Sequence, residues 1–168
     1  MKILLIDDKK EVTDAIKDGL QALATQKGYR GNLEIDAAND FYDALTYIEK
    51  KNKENTSYDV VISDLLMPSD GLKINPQWPV GPILNGWSFL CQNILLESAN
   101  YHQQYIDSVI IVYSAYKNEL MQFVKDNKLE KQYAKIKFIE KGRAFNKKGG
   151  YRVLLDTVDP YLFDFKKK

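Results

Sequence analysis

The sequence has only one cysteine and one histidine, Cys91 and His102, among its 168 residues. A single cysteine excludes an internal disulfide framework and any zinc or iron–sulfur site that needs several cysteines. A single histidine excludes the usual His-rich metal sites, and a Ser–His–Asp triad would have to use His102. We interpret Cys91, which falls in a predicted helix, as a packing residue.

Long hydrophobic runs are also missing. The first apolar run, Ile3–Ile6, ends at Asp7, whereas a signal peptide needs an apolar stretch of about 7–15 residues. No segment approaches the roughly 20 apolar residues of a membrane-spanning helix. We therefore expect a cytoplasmic protein without membrane insertion.

Neither sign of charge is in excess. The 24 lysines and arginines nearly balance the 23 acidic residues, for a net charge of +1. This balance argues against a strongly basic nucleic-acid binder and against an acidic disordered chain. The hydrophobic fraction of 45% is ordinary for a globular protein. The length fits one domain of about 100–200 residues, so we expect a single domain over 1–168 with no nucleic-acid partner.

Proline is scarce except in one stretch, because four of the five prolines lie between positions 68 and 82. Proline restricts its own backbone and that of the residue before it. The segment at about 69–84 is therefore predicted to be a stiff, extended loop inserted after the third strand. Two interpretations stay open: a surface elaboration that packs Trp78 on its own domain, or a lid or partner-docking loop.

Short apolar runs alternate with segments of helical periodicity along the whole chain. The runs are Ile3–Ile6, Leu33–Ala37, Val60–Ile62, Val109–Val112 and Ile136–Ile139. Helical spacing of apolar residues predicts helices at about 10–24, 41–48, 87–95, 120–124 and 153–158, the last one interrupted by Pro160. This βα alternation predicts an α/β fold in three layers, with a five-stranded parallel sheet and helices on both faces.

Polar residues lie at the ends of four of these predicted strands, within two residues of the apolar run. Asp7 and Asp8 follow the first strand, Asp64 the third, Ser114 the fourth and Lys141 the fifth. The carboxyl ends of parallel strands form one edge of the sheet, and ligands bind outside that edge. The sequence therefore predicts a cluster of three carboxylates, a hydroxyl and an ammonium group.

Such a cluster is suited to phosphoryl transfer. Neighbouring carboxylates repel each other unless a cation neutralises them, and Mg²⁺ prefers oxygen ligands of this kind. A lysine can bind a phosphoryl oxygen as a point charge, and an aspartate can act as a nucleophile that forms an acyl phosphate. Phosphoryl transfer needs mainly positioning and charge neutralisation, which this set of residues can supply.

At these positions the sequence resembles the receiver domain of response regulators, the CheY-like phosphoacceptors of two-component signalling. The matching stretches are 4–8, 58–68, 110–115 and 138–141, and the resemblance extends over residues 1 to about 158. It implies a (βα)5 flavodoxin-like receiver fold with a core of about 1–158, an insertion at about 69–84 and a short C-terminal tail. It also implies a stand-alone receiver that acts through partner proteins.

The resemblance assigns roles by position. Asp64 is expected to be the phosphoacceptor, with Lys141 and Ser114 completing the catalytic set. The expected Mg²⁺ ligands are Asp7, Asp8, Asp64 and the backbone carbonyl of Leu66. Ser114 is also expected to act in a conformational switch, with Phe138 as its aromatic partner.

The family implies a partner as well. The phosphoryl group would come from a phosphohistidine on a sensor histidine kinase or a histidine phosphotransfer protein, and the downstream target would be another protein that the sequence does not name. The receiver would catalyse its own phosphorylation and a slow dephosphorylation, with no dedicated enzyme activity beyond these.

Several positions depart from the family pattern. Gly142 follows Lys141 where the family usually has proline, so the loop after the lysine is expected to be less restrained. Leu66 and Tyr116 occupy positions that flank the approach of attacking water, which predicts slow dephosphorylation.

The glycine expected soon after the phosphoacceptor is either Gly71 or Gly86, and Gly86 is favoured because it leads directly into a helix.

Two other functions stay open. The first is a receiver-fold interaction module that no longer uses phosphate, although three clustered carboxylates would then have no evident purpose. The second is a small hydrolase with an aspartyl nucleophile. Such hydrolases commonly need a second acid two residues after the nucleophile, and that position holds Leu66.

Overall fold

A computed structural model describes residues 1–68, 85–95, 105–126, 136–141 and 151–164, with the side chains of the last segment up to position 161. The predicted insertion at 69–84 lies outside the described residues. His102, Gly142 and the end of the C-terminal tail, residues 165–168, lie outside them too.

Five parallel strands form one sheet. They are β1 (Lys2–Ile6), β2 (Glu34–Ala38), β3 (Val60–Ser63), β4 (Val109–Ser114) and β5 (Lys137–Glu140). Their order in the sheet is β2-β1-β3-β4-β5, and every adjacent pair is parallel. This is the strand order of flavodoxin-like folds. The predicted fold class is confirmed, and each strand begins and ends within two residues of its predicted bounds.

The helices alternate with the strands as predicted. They are α1 (Lys10–Gln26), α2 (Phe41–Lys53), α3 (Asn85–Leu90), α4 (Lys117–Asp126) and α5 (Arg152–Asp164), and a π-helical turn at Cys91–Leu95 continues α3. The Asp40 side chain caps α2 by accepting a hydrogen bond from the Asp43 backbone N–H at 2.7 Å. In the described parts of the chain, no helix combines the length and the apolar character needed to cross a membrane.

The prediction that Pro160 interrupts the last helix was wrong, because α5 continues through it to Asp164. Proline lacks the N–H group that would bond to the carbonyl of Asp156. The inner face of α5 is nevertheless anchored by Leu154 and Val158, which are fully buried. Tertiary packing of such a face contributes most of a helix's stability, so the helix tolerates one missing hydrogen bond.

The sheet separates two hydrophobic cores. Side chains alternate between its faces along each strand. Ile3 and Leu5 of β1 pack with α1 and α5, whereas Leu4 and Ile6 pack with α2, α3 and α4. Cys91 is buried in the second of these cores, as its interpretation as a packing residue requires. The result is the predicted three-layer arrangement.

The strand order also determines where a crevice lies at the carboxyl edge of the sheet. The chain leaves β1 towards β2 on one side of the sheet and leaves β3 towards β4 on the other, although β1 and β3 are neighbours. In open α/β sheets, ligands bind at such a reversal, outside the carboxyl ends of the strands. Asp7 and Asp64 follow the ends of β1 and β3 and therefore lie at this crevice.

Candidate functional site

The strand ends bring the predicted polar residues together around Asp64. The Lys141 ammonium donates one hydrogen bond to Asp64 Oδ2 at 2.8 Å and another to Asp7 Oδ2. The Ser114 hydroxyl donates to Asp64 Oδ1 at 2.6 Å. Residues up to 134 positions apart in the sequence thus form one hydrogen-bonded group.

The sheet itself fixes the positions of these residues. The backbone N–H of Asp64 donates to the carbonyl of Ile6 at 2.8 Å, and that of Lys141 donates to the carbonyl of Ser114 at 2.9 Å. The backbone N–H of Asp7 donates to the carbonyl of Ala38 at 3.1 Å. Each residue therefore remains bonded to a neighbouring strand, so the side chains project from a rigid edge.

The two carboxylate oxygens of Asp64 have different surroundings. Oδ1 accepts hydrogen bonds from neutral donors, namely the Ser114 hydroxyl and the backbone N–H groups of Leu65 at 2.6 Å and Leu66 at 3.3 Å. Oδ2 accepts from the Lys141 ammonium. Because the residue is only 8% exposed, these contacts determine how the carboxylate is oriented.

The turn after β1 is held by a residue that the sequence reasoning missed. The side-chain amide of Asn39 donates to the backbone carbonyl of Asp7 at 2.9 Å and to the Thr13 hydroxyl at 3.2 Å. The backbone N–H of Lys9 donates to Asp7 Oδ1 at 3.1 Å. Asn39 directly follows β2, so its position as a polar residue after a strand was the signal that would have revealed it.

Three carboxylates at this edge of the sheet can hold a cation together. Asp7, Asp8 and Asp64 each offer one oxygen, and these oxygens lie within 4.8 Å of one another. Asp7 and Asp64 are buried, whereas Asp8 is exposed, so the cluster opens to solvent on one side. Hard carboxylate oxygens with an open side fit Mg²⁺, which usually keeps several water ligands. Leu66 lies beside the cluster, with its side chain 37% exposed.

Burial dominates the electrostatics of Asp7. It raises the pKa of Asp7 to about 6, against the opposing effect of the Lys141 charge and hydrogen bond, and the charge of Asp64 adds to the rise. Burial alone would lower the pKa of Lys141, but the charges of Asp64 and Asp7 and its hydrogen bonds to both outweigh burial and raise it. The lysine is therefore cationic. Ionisation of the Asp7 carboxyl costs free energy unless a further cation compensates its charge.

The start of α3 is hydrogen-bonded to the residues that directly follow Asp64. The backbone N–H of Gly86 donates to the carbonyl of Leu65 at 2.8 Å. The side-chain amide of Asn85 donates to the carbonyl of Met67 at 3.2 Å. Of the two glycines considered from the sequence, Gly86 thus lies at the site, and Gly71 falls outside the described residues.

Phe138 stands apart from the hydrogen-bonded group. It lies on β5, paired with Val112 of β4, while Ser114 is paired with Glu140. Its ring is partly buried against the core under α2, α3 and α4, with its centroid 6.3 Å from that of Trp87. The switch role of Phe138 therefore stays a prediction.

Comparison with known proteins gives no assignment, because no protein family and no curated protein matches this sequence.

Proposed function

We propose that this chain is a receiver domain of a two-component or phosphorelay system, with Asp64 as its phosphoacceptor. One observation carries the proposal: an ammonium, a hydroxyl and two further carboxylates gather around one buried aspartate. They do so at the crevice where flavodoxin-like sheets bind ligands. In this proposal a sensor histidine kinase or a histidine phosphotransfer protein supplies the phosphoryl group.

The proposed reaction is a displacement at phosphorus. One Asp64 carboxylate oxygen attacks the phosphorus of a phosphohistidine, so that a P–O bond forms while the P–N bond breaks. The imidazole leaves with the bonding electron pair and takes up a proton. The Lys141 ammonium, 2.8 Å from Asp64 Oδ2, would bind the phosphoryl oxygens as a point charge. Positioning and charge compensation of this kind are the main requirements of phosphoryl transfer.

The carboxylates supply the cation site in this proposal. Asp7, Asp8, Asp64 and the backbone carbonyl of Leu66 would hold Mg²⁺. The ion would neutralise charge on the carboxylates and on the incoming phosphoryl group. The raised pKa of Asp7 supports this assignment, because a buried carboxylate that ionises with difficulty gains most from a cation.

Ser114 would couple the reaction to a conformational change. Its hydroxyl donates to Asp64 Oδ1 at 2.6 Å, and it would transfer this hydrogen bond to a phosphoryl oxygen. Phe138 would follow, and the surface formed by α4, β5 and α5 would change its affinity for a cytoplasmic protein target. No nucleic acid or membrane is part of this proposal.

A Mg²⁺ titration followed by beryllofluoride, a phosphoryl mimic, tests the proposal by NMR. We expect Mg²⁺ binding in the millimolar range or tighter, and beryllofluoride-dependent shifts at Ser114 and Phe138. Asp64→Asn should abolish the second response. Asp14→Asn, which changes an exposed carboxylate of α1, should leave both responses intact. Failure to bind Mg²⁺ would instead favour an interaction module that works without phosphate.

A further inference from the structure

The Lys141 ammonium has an aromatic neighbour as well as two carboxylate partners. It lies over the ring of Tyr113, 5.9 Å from the ring centroid. Tyr113 immediately precedes Ser114 on β4 and is 1% exposed, so the ring is shielded from water. An ammonium within about 6 Å of an aromatic centroid is attracted by the negative face of the ring, and more strongly when both groups are desolvated.

The ring is packed in the core, whereas the lysine lies just beyond the end of a strand. Tyr113 pairs with Ile139 across β4 and β5, and both side chains pack in the core under α1 and α5. Lys141 follows the end of β5 and is followed in the sequence by Gly142, a conformationally permissive residue. The backbone of Lys141 is tied to β4 by the hydrogen bond to the carbonyl of Ser114. The position of its long side chain therefore depends on what surrounds the ammonium.

The carboxylate partners of Lys141 are also the proposed ligands of the cation. Oxygens of Asp7 and Asp64 would acquire new partners if they held Mg²⁺ and a phosphoryl group, and the hydrogen bonds of the lysine to them would then change. The contact with the ring involves no oxygen and can persist throughout. It is thus suited to keep the ammonium in place while its other contacts are exchanged.

We propose that Tyr113 is a positioning residue that holds the Lys141 ammonium at the phosphoryl site through the face of its ring. This inference rests on the proposed function, since it assigns a task to the lysine in phosphoryl transfer.

Substitutions at position 113 distinguish the effect of the aromatic ring from the effect of side-chain size. We expect Tyr113→Leu, which removes the ring, to slow labelling of Asp64 by acetyl phosphate and Mg²⁺ on the order of five- to tenfold. Tyr113→Phe keeps the ring and should stay within about twofold of the wild-type rate. Equal labelling rates for the leucine variant and the wild type would overturn the inference.

A fluorinated phenylalanine at position 113 serves where Tyr113→Leu folds poorly. Fluorination weakens the negative ring face with little change in shape, so the labelling rate should fall stepwise as fluorine atoms are added. Tyr58→Phe is the matched control for simple destabilisation. It removes a buried hydroxyl that donates to Asp36 at 2.6 Å, and we expect it to lower stability without changing the labelling rate.

The side-chain ammonium signal of Lys141 in NMR spectra gives a readout that needs no phosphoryl transfer. We expect a slowly exchanging signal in the wild type and in Tyr113→Phe, and a broadened or lost signal in Tyr113→Leu. If the wild type accepts no phosphoryl group, the proposed function fails, and this signal alone decides whether the ring orders the lysine. An unchanged signal in Tyr113→Leu would overturn the inference even if labelling occurs.

Discussion

Gly86 lies so close to Asp64 that a Cβ atom at position 86 would come within 2.1 Å of the Asp64 carbonyl oxygen. The obstacle is backbone, so no side-chain rotation can relieve it. The same added atom would lie 2.8 Å from the Cα atom of Leu65. The first turn of α3 therefore docks directly against the strand end that carries the proposed phosphoacceptor, and only glycine permits this approach.

Gly86→Ala should disturb both stability and the site. We expect the free energy of unfolding to fall by roughly 2–4 kcal/mol, because either α3 or the Asp64 backbone must move, and labelling of Asp64 should fall with it. Urea denaturation and labelling by acetyl phosphate measure the two effects.

Gly28→Ala is the control for the Gly86 substitution. Gly28 has a positive φ of 65°, but nothing lies within 4 Å of an added Cβ. We expect a loss of only about 1–2 kcal/mol from backbone strain and an unchanged labelling rate. If Gly86→Ala behaved like Gly28→Ala, the close contact with Asp64 would not support the site.

Much of the site was predictable because parallel strand ends share one edge. Asp64, Ser114 and Lys141 were placed there from the apolar runs that precede them, and the structure brings them into hydrogen-bond contact. A sequence pattern shows which residues end a strand, but not which side chain reaches across from a neighbour. The position of Asn39 after β2 was a signal in the sequence, but its hydrogen bonds to Asp7 and Thr13 became visible only in three dimensions. The same holds for the ring of Tyr113 beneath the lysine.

The same limit explains the fold-level error. Local rules predicted that the last helix would stop at Pro160, since proline removes a donor. Burial of Leu154 and Val158 against the sheet outweighs that local preference, and it depends on tertiary contacts that the sequence pattern does not reveal.

Asp7→Asn should stabilise the metal-free protein at neutral pH. The pKa of Asp7 is raised from 3.8 to about 6 in the folded protein, chiefly by burial, so the folded state binds this proton more tightly than the unfolded state. The resulting destabilisation is absent below pH 3.8, grows as the pH rises and is complete above about 6. Removing the charge should therefore add roughly 2–3 kcal/mol at neutral pH.

Urea denaturation in the presence of a chelator tests this prediction at neutral pH. Below pH 3.8 the gain in the free energy of unfolding should vanish. Asp8→Asn is the control, because Asp8 is exposed and its neutralisation should change stability little. A loss of stability in Asp7→Asn at neutral pH would show that its contact with Lys141 outweighs the cost of burial.

Lys51→Met should lower stability without affecting the proposed phosphoacceptor site. The Lys51 side chain is 2% exposed, bonds to Glu34, and lies 3.9 Å from Asp36 Oδ2. The Lys51 ammonium also lies 5.6 Å from the centroid of the Tyr58 ring, whose negative face attracts it. Removing the cation takes away the Lys51 bond to Glu34, but Asp36 still accepts a hydrogen bond from the Tyr58 hydroxyl. Both acids are also partly exposed, so we expect a loss of about 2 kcal/mol, less than for a fully buried pair.

Thermal or urea unfolding measures this loss, and Lys50→Met on the exposed side of α2 is the control. Labelling of Asp64 should be the same in both variants. A marked fall in labelling for Lys51→Met alone would mean that the contacts of Lys51 with Glu34 and Asp36 are coupled to the proposed phosphoacceptor site.

The aspartyl phosphate proposed to form on Asp64 should be long-lived. Leu66, two residues after Asp64, offers no group to orient an attacking water. The bulky Tyr116 lies two residues after Ser114, and its backbone N–H donates to the Ser114 hydroxyl oxygen at 3.3 Å. We expect Leu66→Asn, which adds a polar group, to speed dephosphorylation on the order of tenfold. Leu66→Met should leave the rate unchanged. A wild-type lifetime of only seconds would contradict the prediction.

Covalent labelling of Asp64 tests the central claim most directly. The protein is incubated with acetyl phosphate and Mg²⁺, its intact mass is measured, and the modified residue is located by peptide mapping. We predict the addition of one phosphoryl group, located on Asp64, dependent on Mg²⁺ and absent from Asp64→Asn. No labelling by acetyl phosphate or by a phosphohistidine donor, or a phosphoryl group that persists in Asp64→Asn, would contradict the account.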